Sequence, residues 1–462
     1  MIAAPTDRST VEQRTVEQRT AEQGPDASVS VVIPYYRDQA GLDAVLAGLS
    51  RQSHAGPLQI IVADDGSERA PRLPRHVRLV RQEDLGFRAA AARNLGAAQA
   101  TGEVLAFLDG DTVPEPGYIA AVVAALSEHP GALVIGTRTH LDTAADPPAD
   151  RGEPAWLRAA WEATDHLRAA DDTGFRYVIS AVLSCRREVF EAIGGFDGSM
   201  VGYGGEDWEL GWQALLAGCD LLHVPQAHAV HRGPDWGERS ETDRAAALAQ
   251  KNAETVRLAL RITHPIMRAP GVVSAVPDLE VHWSPGHPSA GVLVPVLTDL
   301  LGSGDVHVHL HPGGAGRDGA RQDSAERDGA DREALGLEVF AADPRVRWEA
   351  PRAAPEGPVE GRRDARVRPR FTLELLLPVR VPPGQLQQAC EEISRHGGMG
   401  EIVDPAGRVL LTVEPARARA RAQTVVTRLV RDWTRLSRPV GLEDELRTEG
   451  ESRSRPAAGP RA

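Results

Sequence analysis

The triplet Asp109-Gly110-Asp111 directly follows the apolar run Val104-Leu-Ala-Phe-Leu108. Two carboxylates at this spacing can reach one divalent cation and, through it, a diphosphate. Departure of a diphosphate requires neutralisation of its developing charge, which a Lewis acid supplies. Hard oxygen donors favour Mn2+ or Mg2+ over Zn2+. The same residues also suit an ordinary strand-to-loop turn. A second acidic pair, in Asp64-Asp65-Gly66-Ser67, ends the run Leu58-Gln-Ile-Ile-Val62. It reads either as a turn with Gly66 at positive φ or as a carboxylate accepting from the N3–H of a pyrimidine base. Arg93-Asn94 falls on a helix facing the same edge. There Arg93 can meet a phosphate or a base, or simply lie in solvent.

Gly204-Gly205-Glu206-Asp207 is the sharpest element of the sequence. Two glycines allow close approach of backbone to a ligand, and two acids follow where a helix begins. Capping accounts for such acids, because a helix N-terminus favours their ionised form. The catalytic reading makes Asp207 a general base that takes a proton from an attacking hydroxyl, a contribution of roughly 10²–10⁴-fold. Trp208 and Tyr203 can stack on sugar rings or fill a core. Further on, Val224-Pro-Gln-Ala-His-Ala-Val-His231 places His228 and His231 after a strand-like run. His231 can complete a metal site through a neutral imidazole nitrogen.

Alternating strands and helices must position these groups. Ser28-Val-Ser-Val-Val-Ile33 stops at Pro34 as a buried strand would. Gly41 to Arg51 has helical spacing, and an Ala-rich helix is expected over Phe87–Ala100. Trp156–Ala169 reads as a helix, Tyr177–Leu183 as a strand and Asp142–Gly152 as a surface loop. A helix through about Leu216 should follow Asp207, and another should span Thr242–Leu260. The order βαβα argues for a largely parallel sheet wrapped by helices, whose ligands collect at the carboxyl ends of the strands. Both acidic clusters sit at strand ends.

Ser28-Val-Ser-Val-Val-Ile-Pro-Tyr-Tyr36, Val62-Ala-Asp-Asp-Gly-Ser67, Gly86 through Asn94, Leu108-Asp-Gly-Asp111 and Gly204-Gly-Glu-Asp207 stand in an order that resembles family 2 glycosyltransferases. The last block resembles the acceptor segment of galactosyltransferases and chondroitin-polymerase-type enzymes. The resemblance covers about Ser28 to Arg232. It implies a GT-A fold, that is, a Rossmann-like, mostly parallel sheet flanked by helices. It also implies an inverting transfer from a nucleotide sugar, most often a UDP-sugar, to a hydroxyl of a glycan or other acceptor. On that basis Pro34, Asp65, Arg93, Asp109 and Asp111 bind the donor. Asp109, Asp111 and His231 hold Mn2+ or Mg2+, with Asp111 the principal ligand in many relatives. Gly205, Glu206 and Trp208 bind the acceptor, Glu206 orients it, and Asp207 is the base. Gln226 stands where several relatives have Cys.

The chain has 462 residues, net charge −13, 42% hydrophobic and 25% charged residues. Length suggests more than one domain. The charge argues against nonspecific nucleic-acid binding. Three widely spaced cysteines suit neither a disulfide framework nor a thiolate metal site. The absence of a secretory pattern and of a long apolar run leads to the expectation of a cytoplasmic enzyme without an integral membrane segment, open to peripheral membrane contact. The expected domains are a disordered tail (1–27), a glycosyltransferase domain (28–265), a smaller α/β region of unread role (270–440) and a second disordered tail (441–462). Within the α/β region, Val292–Leu301, Val306–Leu310 and Phe371–Val379 read as sheet elements and Gln385–Arg395 as a helix. Gly313–Arg332 and Arg352–Arg370 read as loops. His307, His309 and His311 share one strand face, read as solvated or partner-facing, with a second metal site as the alternative. No second set of acidic motifs follows, which argues against a polymerase with two activities. The competing classes are a catalytically inactive carbohydrate- or nucleotide-binding relative and a nucleotidyltransferase. The second usually has a Gly-rich basic loop after the first strand, where this chain has Pro34-Tyr-Tyr-Arg-Asp38.

Overall fold

The computed structural model describes residues 26–142, 149–202, 204–232, 252–269, 271–286, 290–312, 337–348, 366–423, 425–433 and 435–436. Tyr203, both outer tails apart from residues 26 and 27, the start of the Thr242–Leu260 helix and nearly all of the two Gly/Arg-rich loops lie outside the described residues. The chain divides into two compact units, Met1–Ile262 and Thr263–Ala462.

The first unit is α/β. Its strands are β1 Val29–Tyr35, β2 Leu58–Asp64, β3 Arg78–Arg81, β4 Val104–Leu108, β5 Thr112–Pro114, β6 Ala132–Asp142, β7 Ala149–Gly152, β8 Val182–Arg186 and β9 Asp220–Arg232. Its helices are α1 Gln39–Leu49, α2 Ala89–Ala97, α3 Tyr118–Glu128, α4 Ala155–Ala163, α5 Arg187–Ala192 and α6 Glu206–Leu216, with residues 252–259 forming one more. The sheet runs β3-β2-β1-β4-β8-β6-β9-β5, with β7 on β6. The first four strands are parallel. β8 then runs antiparallel to both β4 and β6, while β9 returns parallel to β6.

Helices cover both faces of the parallel half, so its strands read as unbroken apolar runs rather than alternating ones. Val29, Val31, Val32 and Ile33, and every residue of β4, are buried. The Asp142–Gly152 loop contains a short strand, β7, because Leu141 and Asp142 carry β6 far enough to pair with it. The run Tyr177–Leu183 divides into a 3-10 turn ending at Tyr177 and the start of β8.

The second unit has β10 Leu279–Gly286, α7 Ala290–Leu301, β11 Val306–Pro312, β12 Val346–Trp348, β13 Phe371–Leu375, α8 Gln385–Arg395, β14 Met399–Val403, β15 Val409–Pro415, α9 Ala416–Ala420 and β16 Val426–Val430. Val292–Leu301 is therefore helix, not strand. Leu293, Val296, Leu297 and Leu300 are all buried, a helical spacing that a run of ten mostly apolar residues conceals. The histidine face is not solvated either. His307, His309 and His311 are each at most 7% exposed. His309 Nε2 lies 3.1 Å from Glu280 Oε1, and His282 Nδ1 lies 3.0 Å from His311 Nε2. Among the described residues no three potential ligands converge as a metal site. No helix among them is long and apolar enough to cross a membrane.

Candidate active site

β1 and β2 end in register, with Tyr35 opposite Asp64. Side chains alternate along a strand, so the two adjacent acids part company there. Asp64 is fully buried, accepting from Ser67 N at 2.9 Å and Arg81 Nε at 2.6 Å. It fastens the turn. Asp65 lines a cleft, oriented by Gln82 Nε2 at 2.5 Å and by the backbone N–H of Arg88 at 2.7 Å.

Helix α2 lies almost in contact with β1. A methyl at Gly96 would stand 2.4 Å from Val32 Cγ1, so only glycine allows this approach. The close packing carries Arg93 to the ends of the strands. Arg93 is 3% exposed and donates from Nη2 to Asp109 Oδ1 at 2.6 Å and from Nη1 to Glu206 Oε1 at 3.0 Å. Burial alone would weaken its protonation, but the two carboxylates more than compensate and raise its pKa. Its neighbour Asn94 clasps Phe196, donating to its carbonyl at 2.8 Å and accepting from its N–H at 3.0 Å. Arg93 is thus neither solvated nor pointed at open space. It ties the acid after β4 to the acid that opens α6.

The position of His231 follows from sheet topology. β5 begins immediately after Asp111 and pairs antiparallel with β9, setting Thr112 opposite His231. The Arg232 N–H donates to the Asp111 carbonyl at 3.0 Å, and His231 Nδ1 lies 3.2 Å from Asp111 Oδ1. Burial pushes the Asp111 carboxyl up, yet His231 and then Arg138 outweigh it and hold the group below its usual range. His231 Nδ1 is buried and makes no well-aligned hydrogen bond. A carboxylate beside an imidazole nitrogen in that state suits a divalent cation. Asp109 Oδ1 is engaged by Arg93, while Asp111 and His231 adjoin each other.

Gly204 and Gly205 have φ of +92° and +91°, conformations that disfavour any side chain. A Cβ on Gly204 would also stand 2.6 Å from a Glu254 carboxylate oxygen on the helix of residues 252–259. The turn conformation alone therefore calls for both glycines, independently of any ligand. They deliver Glu206 and Asp207 to the first turn of α6, where the helix dipole favours negative charge. Asp207 Oδ1 accepts from the Trp208 N–H at 2.9 Å. Burial, reinforced by the charge of Glu206, pushes its carboxyl up to about 7. Trp208 does not line the cleft. Its ring meets Phe175 edge-on, centroids 6.1 Å apart. Gly205 is likewise absent from the cleft wall.

The cleft measures about 520 Å³ and lies wholly within the first unit. Pro34, Asp65, Arg93, Asp109, Asp111, Glu206, Asp207 and His231 all line it, with Arg93 joining Asp109 to Glu206. Residues 30–194 match glycosyl transferase family 2, and residues 168–232 match the N-terminal domain of galactosyltransferase. The first unit is thus similar to family 2 glycosyltransferases over residues 30–194.

Two curated relatives illustrate its range. The hyaluronan synthase of Pasteurella multocida is 30% identical over 251 residues, covering 47% of this chain and 26% of that protein. Validoxylamine A glucosyltransferase of Streptomyces hygroscopicus subsp. limoneus is 32% identical over 221 residues, covering 42% of this chain and 49% of that one. The chain thus spans half or less of the length of these relatives. Among solved structures, GalNAc-T7 with UDP, GalNAc and Mn2+ aligns with a TM-score of 0.35 at 16% identity, over 51% of this chain and 54% of that one.

Among the cleft-lining residues that sequence reasoning did not single out are Arg138 and His140, both on β6. His140 pairs across the ladder with His231, their rings 4.9 Å apart. Their signal was available. Ala132–Asp142 opens as an apolar strand and continues with two basic side chains on one face, at strand spacing.

Proposed function

We propose that this chain transfers a sugar, with inversion, from a UDP-sugar to an acceptor hydroxyl, using Mn2+ or Mg2+. One observation carries the reading: a single cleft joins the Asp111–His231 pair to an Asp207 carboxyl poised near neutrality. Asp65 has two of its roughly four lone-pair sites occupied by Gln82 and Arg88, leaving acceptor capacity for the uracil N3–H. Pro34 walls the same side. Asp111 and His231 would hold the cation, which as a Lewis acid offsets charge on the departing diphosphate. Arg93 keeps Asp109 and Glu206 in fixed relation, so donor and acceptor walls are held together before either substrate arrives.

Asp207 takes the proton of the acceptor hydroxyl as its oxygen forms a bond to the anomeric carbon. The bond from that carbon to the diphosphate oxygen breaks, and the nucleoside diphosphate carries away the electron pair. A carboxyl near 7 matches its driving force to the operating pH better than an ordinary aspartate does. Glu206, adjacent and tied to Arg93, orients the acceptor.

The test is a donor screen with MnCl2, reading thermal shift and sugar release for UDP-, GDP- and dTDP-sugars. Stabilisation and turnover with a UDP-sugar are expected. Absence of any response to all three would replace this reading with a binding module.

A further inference from the structure

The sequence of the second unit contains no Asp-x-Asp triplet and no Gly-Gly-Glu-Asp block, yet its strand order repeats that of the first. The first sheet runs β3-β2-β1-β4-β8-β6-β9 before its last strand, and the second runs β12-β11-β10-β13-β15-β14-β16. Substituting β10 for β1, β11 for β2, β12 for β3, β13 for β4, β14 for β6, β15 for β8 and β16 for β9 reproduces the order throughout. It also reproduces the sense of every pairing. β10 is parallel to β11 and β13, β11 to β12, and β14 to β16, while β15 is antiparallel to β13 and β14. The counterparts in the first unit have the same senses.

Helices fall at matching places. α1 and α7 link the first two strands of each sheet, and α3 and α8, each 11 residues long, precede β6 and β14. Register sharpens the match. Val29 faces Val104 as Leu279 faces Phe371, and these in turn face Arg186 and Pro415. α5 begins immediately after Arg186 and α9 immediately after Pro415. A mixed sheet admits many orders and senses, so agreement in all of them together with helix placement is unlike coincidence.

We infer that the second unit is a degenerate second copy of the glycosyltransferase fold, without sugar-transfer chemistry of its own. In this register the positions of Asp109 and Asp111 hold Leu376 and Pro378, and that of Asp64 holds Pro312. None of these side chains can ligate a cation, and Pro312 cannot accept the hydrogen bonds with which Asp64 fastens its turn. The acceptor half is missing as well. β14 and β15 are joined by a short hairpin where β6 and β8 are separated by β7 and α4, and among the described residues no counterpart of α6 lies between α9 and β16. The polar face bearing Glu280, His282, His307, His309 and His311 falls at the level of Ser30, Val32, Gln59, Ile61 and Ala63, so only His311 approaches the strand ends where the first unit has its cleft.

The inference rests on the proposed donor chemistry only for its silent half, and the test separates the two parts. An experimental structure of the full chain with UDP and MnCl2 should show nucleotide in the first unit alone, and equilibrium dialysis should give one UDP per chain. The second sheet should show the order and senses given above. Nucleotide density in the second unit, or two equivalents bound, overturns the claim of silence. A different strand order there overturns the repeat. Nucleotide in neither unit removes the UDP reading proposed above, and the repeat is then decided by strand order alone.

Discussion

Replacing Asp207 by Asn should make the protein more stable and nearly inactive at once. In the folded chain the Asp207 carboxyl sits near 7 because burial and the charge of Glu206 both resist its ionisation. In the unfolded chain it ionises at about 3.9. Below that pH both states are protonated and the group costs nothing. Between about 4 and 7 the unfolded chain releases its proton while the folded one keeps it, so stability falls as pH rises. Above 7 both are ionised and the cost is constant, at most about 4 kcal/mol for a displacement of this size. Asp207 keeps partial contact with solvent, and relaxation around it should reduce this to about 2 kcal/mol. Asn retains an acceptor for the Trp208 N–H and cannot ionise. The variant should therefore melt about 4–8 °C higher at pH 8, at roughly 2–4 °C per kcal/mol, with the gain vanishing near pH 4. Its kcat/KM should fall by about 10²–10⁴ with UDP affinity unchanged. Melting curves at the two pH values, UDP titration and initial rates provide the readouts. Equal melting temperatures at pH 8 would refute the raised carboxyl, and undiminished turnover would refute the base.

Glu206→Gln removes the second cause of that elevation, so the acid limb of kcat/KM should move to lower pH; a limb that stays near 7 or rises assigns it elsewhere. Asp111→Ala and His231→Ala should each weaken Mn2+-dependent UDP binding by at least about tenfold, measured by calorimetry with and without EDTA. If UDP affinity ignores both changes and the chelator, the metal pair is wrong. Arg93→Met leaves two carboxylates without their shared cation and should cost about 3–5 kcal/mol in urea unfolding. Arg93→Lys keeps the charge but loses the fork that reaches both acids, and is expected to fold with reduced kcat. Gly96→Ala forces α2 off Val32, costing about 1–3 kcal/mol and lowering UDP affinity as Arg93 shifts. A variant with wild-type stability and binding would show that α2 adapts freely.

How much of this was legible in the sequence depended on whether a residue acts through its own chemistry or through its neighbours. Asp109, Asp111 and Asp207 could be singled out because carboxylates at strand and helix ends stand where an α/β sheet collects its ligands, although turns and caps use the same residues. The parallel core strands were legible for a similar reason, since burial on both faces leaves unbroken apolar runs. β3, whose four residues are Arg-Leu-Val-Arg, and β5, only three residues long, leave no such signature. Arg93 looked like a donor ligand or a solvated cation because its partners Asp109 and Glu206 lie far away in sequence, and only the closeness of α2 to β1 unites them. The glycines before Glu206 suggested ligand approach, whereas their conformation accounts for them without one. In the second unit the limitation is deeper. Sequence motifs record chemistry, and a copy of a fold that has lost its chemistry keeps only strand order, pairing sense and register. Those are relations between residues, set by apolar side chains that many sequences can supply equally well. The absence of a second Asp-x-Asp triplet argued against a second activity, yet it gave no hint that the strand order would recur.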